Sequence, residues 1–427
     1  MPAVPSDAGS GPVSAPPRGL RLRGFSALRF DPARVDLAAV TCPPYDVIER
    51  AGVAVLEAQD PHNVVRLILP RGTGEGRYSH AVDLLVGWQR DGVLRRDDAA
   101  AVYVYEQFGK GLLQRGLLGA LELRDPEERV VLPHEDVMPG PVADRFALMR
   151  ATKANLEPIL LVYDGGGAAG EVVERVADRP PLAEALTVDG MRHRLWRLDD
   201  PVDLEVVAGD LAPRQAMIAD GHHRYASYLR LQEHFGASRG PGPWDAGLAL
   251  LVDSARYPLR VRAIHRVVAG LASDEAATLA AKAFTVTPLE GPEAGLALLH
   301  DKGGRHRFVL HGAAGTWLAE DPDATRLEAA LDPGRPARWR RLDAAVLHGL
   351  LVEALWGISD ESALGYHHDA PGAIDAAIEE RGTAVLMRPA PLADVLALAA
   401  LGERMPRKST SFGPKPRTGI VLRELRD

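Results

Sequence analysis

The densest grouping of chemistry-capable side chains is Asp220-Gly221-His222-His223-Arg224, which joins a carboxylate, a flexible backbone position, two imidazoles and a guanidinium. It follows the apolar run Ala216-Met217-Ile218-Ala219 and leads into an amphipathic segment reaching Phe235-Gly236. The run reads as a buried strand, and the segment as a helix with Gly236 as its C-terminal stop. Such a junction suits anions, because the first N–H groups of a helix lack intrahelical partners and its positive end attracts phosphate. Gly221 permits close approach, and Arg224 has the fork geometry for a bidentate phosphate contact. The plain alternative makes Asp220 a helix cap and the histidines surface residues.

Other segments supply groups that such a site needs. His134-Glu135 follows a short apolar run and a proline; a carboxylate beside an imidazole can act as a general base. Arg145 and Lys153, near Asp144 and Asn155, are spaced to share a helix face. Pro43-Pro44-Tyr45-Asp46 is a rigid turn presenting an aromatic ring and a carboxylate. Asn63 and Arg66, beside His62, are candidate substrate contacts, as are Glu106 and Gln107 at a strand end. Arg407-Lys408-Ser409-Thr410 with Lys415 forms a basic, proline-flanked loop able to close over an anionic ligand. For each, an ordinary turn, cap or solvated surface is the alternative. His367-His368-Asp369 resembles a metal fragment without a third ligand at telling spacing, and reads as structural or peripheral. Gly165, Gly167 and Gly170 match a dinucleotide spacing but read as a plain turn. Gly236-Ala237-Ser238-Arg239-Gly240 follows a helix instead of a strand, which excludes a nucleophile elbow.

The elements that must position these groups alternate irregularly. Strands are expected at Gly24–Phe30, Val64–Leu69, Pro158–Tyr163, Gly247–Val252, Thr383–Met387 and Gly419–Leu422. Hairpins are expected at Ala101–Leu123 and Arg305–Ala319. Helices are expected at Tyr78–Arg90, Asp144–Ala151, Asp274–Phe284, Pro292–His300, Asp343–Trp356 and Ala373–Arg381. Residues Met405–Pro416 read as an irregular polar loop. The class is α+β, or mixed α/β. The expected division is a disordered tail at 1–19, an α/β domain at 20–260 carrying the Asp220 motif, and a second α/β domain at 261–427 carrying the Lys408 loop.

Composition sets the outer limits. The 427 residues are 46% hydrophobic and 25% charged, as in globular proteins. A net charge of −8 argues against a broad nucleic-acid or anionic-membrane surface. Cys42 is the single cysteine, which excludes an intrachain disulfide and fits a reducing cytoplasm. The first residues lack a signal-like apolar core, and stretches such as Pro391–Leu401 are too short to span a bilayer, so no membrane role is expected.

Four motifs together resemble one prokaryotic family, domain of unknown function 1015. They are Pro43-Pro44-Tyr45-Asp46-Val47-Ile48, Pro133-His134-Glu135, Ile218 to Tyr225, and Lys408 to Lys415. The Asp220–Arg224 turn is also similar to the Gly-x-His-Arg turn of the ParB/sulfiredoxin superfamily, which includes sulfiredoxins, ParB-type nucleotide-binding domains and free serine kinases. That resemblance implies a ParB/sulfiredoxin-like core with nucleotide phosphates held at the helix start. The sulfiredoxin branch needs a cysteine where this chain has His222, so the kinase branch is the nearer analogue. That branch uses a glutamate as base, for which Glu135 is the candidate.

The functional expectation is therefore an ATP- or ADP-dependent kinase of a small hydroxylated metabolite, with free L-serine a candidate substrate. Gly221 and the helix N-terminus hold phosphates, His223 and Arg224 neutralise charge, Glu135 is the base, His134 orients it, and Asp220 or Glu106 holds Mg²⁺. Lys408 and Lys415 close a flap. The runners-up are a non-catalytic nucleotide-binding switch, and a metal-dependent phosphoester hydrolase with His222 and His223 as ligands.

Overall fold

In a computed structural model, residues 19–300, 306–360 and 363–426 are described. The expected tail lies almost wholly outside them, as does Arg305. The fold is α+β, with a nine-stranded mixed sheet in the first part and a six-stranded antiparallel sheet in the second.

The Asp220 junction is built into the first sheet. Strand Ala216–Asp220 lies antiparallel to Ile159–Tyr163, which runs parallel to Ala246–Asp253. Beyond these the hairpin Val102–Gly109 and Leu112–Glu122 extends the sheet, and Val131–Leu132 forms the opposite edge, parallel to Ala216–Asp220. Side chains alternate between two cores. Met217, Ala219, Leu160 and Leu250 enter one cluster, whereas Ala216, Ile218, Ile159 and Leu251 enter the other. A sheet covered on both faces explains why these strands read as continuous apolar runs. Helix His222–Arg239 packs against helix Pro139–Thr152, with the Ser227 hydroxyl donating to the Val142 carbonyl at 3.0 Å.

The second sheet runs, edge to edge, Thr285–Leu289, Gly315–Glu320, Arg307–Gly312, Thr383–Leu386, His265–Val268 and Leu364–His367. Phe308, Leu310 and Val385 join the cluster that contains Leu160 and Leu250, so one core runs between the two sheets. From Met405 the chain returns to the first part. Ser411–Gly413 pairs with Arg260–Arg262, Thr418 bridges Cys42, Leu422 bridges Leu28, and Arg423–Glu424 pairs with Ala154–Asn155. Among the described residues no helix is long and apolar enough to cross a membrane.

Four local expectations need correction. Val64–Leu69 is not a strand; Val65–Ile68 is a helical turn because the Asn63 side chain accepts the Val65 N–H at 3.0 Å. The helix after His222 runs past Gly236 to Arg239, where Gly240 at φ 73° stops it. Asp343–Trp356 is helical but widens to π-helical winding over Leu347–Leu355. Gly419–Leu422 holds one isolated bridge, at Leu422, instead of a strand, and the expected irregular loop contains strand Ser411–Gly413.

Candidate functional site

Gly221, at φ 95°, turns the chain from strand Ala216–Asp220 into helix His222–Arg239 and is itself the N-cap. No side chain caps that end, and the N–H groups of His222, His223 and Arg224 have no partner among the described residues. They border a cavity of about 700 Å³. Its walls include Tyr45, Asp46, His134, Glu135, Lys408, Thr410 and Lys415 from the first-part segments and the returning tail. The junction is therefore open to a cleft.

Arg224 is placed differently from the expectation that it meets phosphate with a free fork. Its guanidinium is buried (side chain 1% exposed); Nη2 pairs with Asp220 and Nη1 donates to the Pro158 carbonyl. Only its Nε–H lacks an acceptor among the described residues. Asp220 is held on both oxygens, by Arg224 and by Lys415 Nζ at 2.6 Å from Oδ1. Lys415 also pairs with Asp46. Burial alone would push the Lys415 ammonium down, but Asp220 and Asp46 outweigh it and hold its pKa up. Burial likewise pushes the Asp46 carboxyl up, yet Lys415 and Arg224 win and hold it at about 2. Lys415 is thus a cross-link between the tail and the junction, and the unpaired cation is Lys408, which has no hydrogen bond or ion pair among the described residues.

Glu135 anchors the loop. Its Oε1 accepts the N–H groups of Ser409 at 3.1 Å and Thr410 at 3.2 Å, leaving Oε2 without a partner among the described residues. His134 Nδ1 donates to the Ile218 carbonyl at 2.8 Å, and burial lowers its pKa. A neutral His134 in that tautomer must accept at Nε2, which lies 2.8 Å from the Thr410 hydroxyl. The single Thr410 hydroxyl proton thus has two acceptors, His134 Nε2 and Glu135 Oε1 at 3.1 Å.

His222 Nε2 accepts the His134 N–H at 3.3 Å, and His223 Nε2 accepts the Met138 N–H at 3.0 Å. Those lone pairs are spent on backbone donors, which counts against the runner-up hydrolase with His222 and His223 as metal ligands. Burial lowers the pKa of both, His222 most strongly, where His134 adds to it. Mg²⁺ at Asp220 or Glu106 does not fit either. Asp220 is doubly paired, and Glu106 lies within the sheet with Arg115 at 2.5 Å and Arg194 at 3.6 Å. Among the described residues no cluster of three His, Cys, Asp or Glu side chains could hold a metal ion.

Several candidates lie away from the cavity. Arg145 is buried against the Ile68 carbonyl and Asp144, with its guanidinium 4.3 Å from the Tyr45 ring, so it backs the site and does not reach it. Lys153 ends its helix at φ 48° near Arg239 and Trp244. Asn63 caps the Val65 turn, Arg66 pairs with Glu57 at 3.5 Å, and Gln107 bonds to Gln114 at 2.9 Å. The Gly165–Gly170 turn is filled from within, since Asp253 takes the Gly166 N–H at 2.9 Å and Asp210 the Ala169 N–H at 3.1 Å.

Sequence reasoning missed Glu157, which is buried under Tyr45 and accepts its N–H at 2.9 Å. Burial raises its pKa against the pull of Arg224 and Arg145. It also missed the second-part wall of Glu353, Asp360, Tyr366 and His368. His368 was read as peripheral; burial, then Lys415 and Lys408, lower its pKa inside the cavity. No local pattern marks these residues.

Among solved structures, the chain is similar to a free serine kinase mutant in complex with AMP, at 15% identity and a TM-score of 0.37, over 73% of this chain and 88% of that one. A free serine kinase mutant with ADP matches at 15% identity and a TM-score of 0.35, over 66% and 84%. A conserved hypothetical protein from Pyrococcus furiosus matches at 15% and 0.34, over 68% and 90%. No curated protein matches the chain significantly. The family described as protein of unknown function (DUF1015) matches residues 22–345, more than half of the chain, and the chain belongs to that family.

Proposed function

We propose that the chain is an ATP- or ADP-dependent phosphotransferase acting on a small hydroxylated metabolite, with free L-serine as the first substrate to test. One observation carries this reading: unsatisfied donors converge on a single cleft. They are the backbone N–H groups of His222, His223 and Arg224 and the Lys408 ammonium. A polyanion supplies the acceptors they lack.

Nucleotide phosphates sit against the first turn of helix His222–Arg239, whose opening N–H groups carry no side-chain cap. Lys408 neutralises part of their charge, and the neutral His223 ring donates its remaining N–H. Glu135 Oε2 accepts the proton as the substrate hydroxyl oxygen bonds to the terminal phosphorus. The bond from that phosphorus to the bridging oxygen breaks, and the leaving nucleotide takes the electron pair at the positive helix end. His134 acts on Glu135 through Thr410 and is a positioning residue. Glu353 on the second-part wall suits the ammonium of an amino-acid substrate.

The test is transfer of labelled terminal phosphate to L-serine, and to a panel of hydroxy metabolites, by the full chain with Mg²⁺ present. Formation of a phosphate ester supports the reading. Nucleotide binding without transfer to any acceptor leaves the switch reading instead.

A further inference from the structure

A second cavity, of about 990 Å³, lies in the six-stranded part. Leu296 and Leu299 of helix Pro292–His300, with Leu342, Met387 and Pro389, give it apolar walls. The polar groups on the wall are mostly donors. His265 is 7% exposed, and its Nδ1 accepts the Met387 N–H at 3.2 Å. Burial lowers its pKa to about 4, so near neutrality it is uncharged and its one proton sits on Nε2. That Nε2–H has no acceptor among the described residues. Arg262 and Arg341, both exposed at the wall, likewise have no hydrogen-bond or ion-pair partner there for their side chains. The acids are already paired. Asp343 holds His306 at 2.8 Å and Arg388 at 3.0 Å, and Asp394 lies 3.6 Å from Arg338. The cavity is separate from the junction cleft. The two share His368, and the loop around Ser409 stands between them.

We propose that this cavity is a second ligand site, for an organic acid with an apolar body. The body fills the leucine-lined space, and the carboxylate takes the His265 Nε2–H and the Arg341 guanidinium. An apolar pocket with unpaired donors on its wall favours a carboxylate over an alcohol, because a hydroxyl oxygen is a weaker, uncharged acceptor.

Calorimetric titration of the full chain without nucleotide tests this, with 4-phenylbutyrate and 4-phenylbutanol as probes. The expected result is saturable binding of the acid, with the alcohol weaker by about tenfold, the scale of one lost charge-assisted contact. Leu296→Trp, which puts a bulky indole into the leucine-lined part of the cavity, changes acid affinity by about tenfold or more. Arg341→Ala, at an exposed and unpaired side chain, keeps the fold and weakens the acid by about tenfold. No saturation by about 10 mM, equal affinity for acid and alcohol, or acid binding untouched by either variant overturns the proposal. Leu296 and Arg341 line this cavity and not the junction cleft, so their effect separates binding here from any carboxylate binding there, and a failure here leaves the proposed function untouched.

Discussion

Glu135 Oε1 lies 3.1 Å from the Thr410 hydroxyl and 3.2 Å from the Thr410 N–H, across 275 positions of sequence. One carboxylate oxygen thereby fixes the basic tail loop to the end of the first sheet. The other oxygen stays uncommitted among the described residues. Structural and chemical roles are thus divided between two atoms of one side chain.

That division predicts different outcomes for two substitutions. Glu135→Gln keeps an oxygen for the loop N–H groups but cannot take a proton. Turnover should fall by about 10²–10⁴-fold, the usual worth of a general base, with the melting temperature nearly kept. Glu135→Ala should lose both. Phosphate-transfer assays and thermal melts on the same samples separate the effects. Wild-type turnover in Glu135→Gln excludes Glu135 as the base.

Lys415 between Asp46 and Asp220 is the second test. Lys415→Met leaves Asp220, only 8% exposed, with one cation instead of two. Losing a partner from a buried charge cluster costs about 3–5 kcal/mol, and the partial exposure of Asp46 places the expected loss at the lower end. Urea denaturation measures it. Adding Asp220→Asn should cost less than the sum of the two single changes.

Gly221→Ala tests the turn itself. The φ of 95° is left-handed, and an added Cβ would stand 2.8 Å from Ile159 Cγ2. Strain of about 1–3 kcal/mol is expected from the backbone alone. Chemical denaturation should register that loss, and phosphate-bearing ligands should bind more weakly because the helix start must shift to clear Ile159.

Acid should unfold the protein through its buried neutral histidines. Burial lowers His193 and His265 to about 4 and His348 to about 3. In each the unfolded chain, with an ordinary value near 6.5, binds the proton first. Their contribution is complete above about pH 6.5 and is lost as pH falls toward 4. Melting temperature against pH should slope upward across that window. His193→Gln should make the slope shallower, and an unchanged slope contradicts the assignment.

The Asp220 junction was legible because an apolar run, a glycine and a polar helix start are all local signals. The hairpin around Lys110-Gly111 was legible for the same reason, with φ 53° and 69° at its two turn residues. Val65–Ile68 was misread because β-branched residues suggest a strand, whereas a cap from Asn63 and burial decided for a helical turn. The direction of Arg224 could not be read: its partners are Asp220 on the preceding strand and Pro158 just before strand Ile159–Tyr163. Glu157 and His368 were illegible because only contacts distant in sequence give them meaning. The π-helical widening over Leu347–Leu355 leaves no trace in an apolar pattern that fits either winding.

The central claim is that phosphate binds at the start of helix His222–Arg239 beside Lys408. Calorimetric titration of ADP and ATP into the wild type and Lys408→Ala tests it most directly. Saturable binding is expected, weakened about tenfold in the variant, the scale of one charge-assisted contact, with an unchanged melting temperature. Failure of both nucleotides to bind, or equal affinity in wild type and variant, contradicts it.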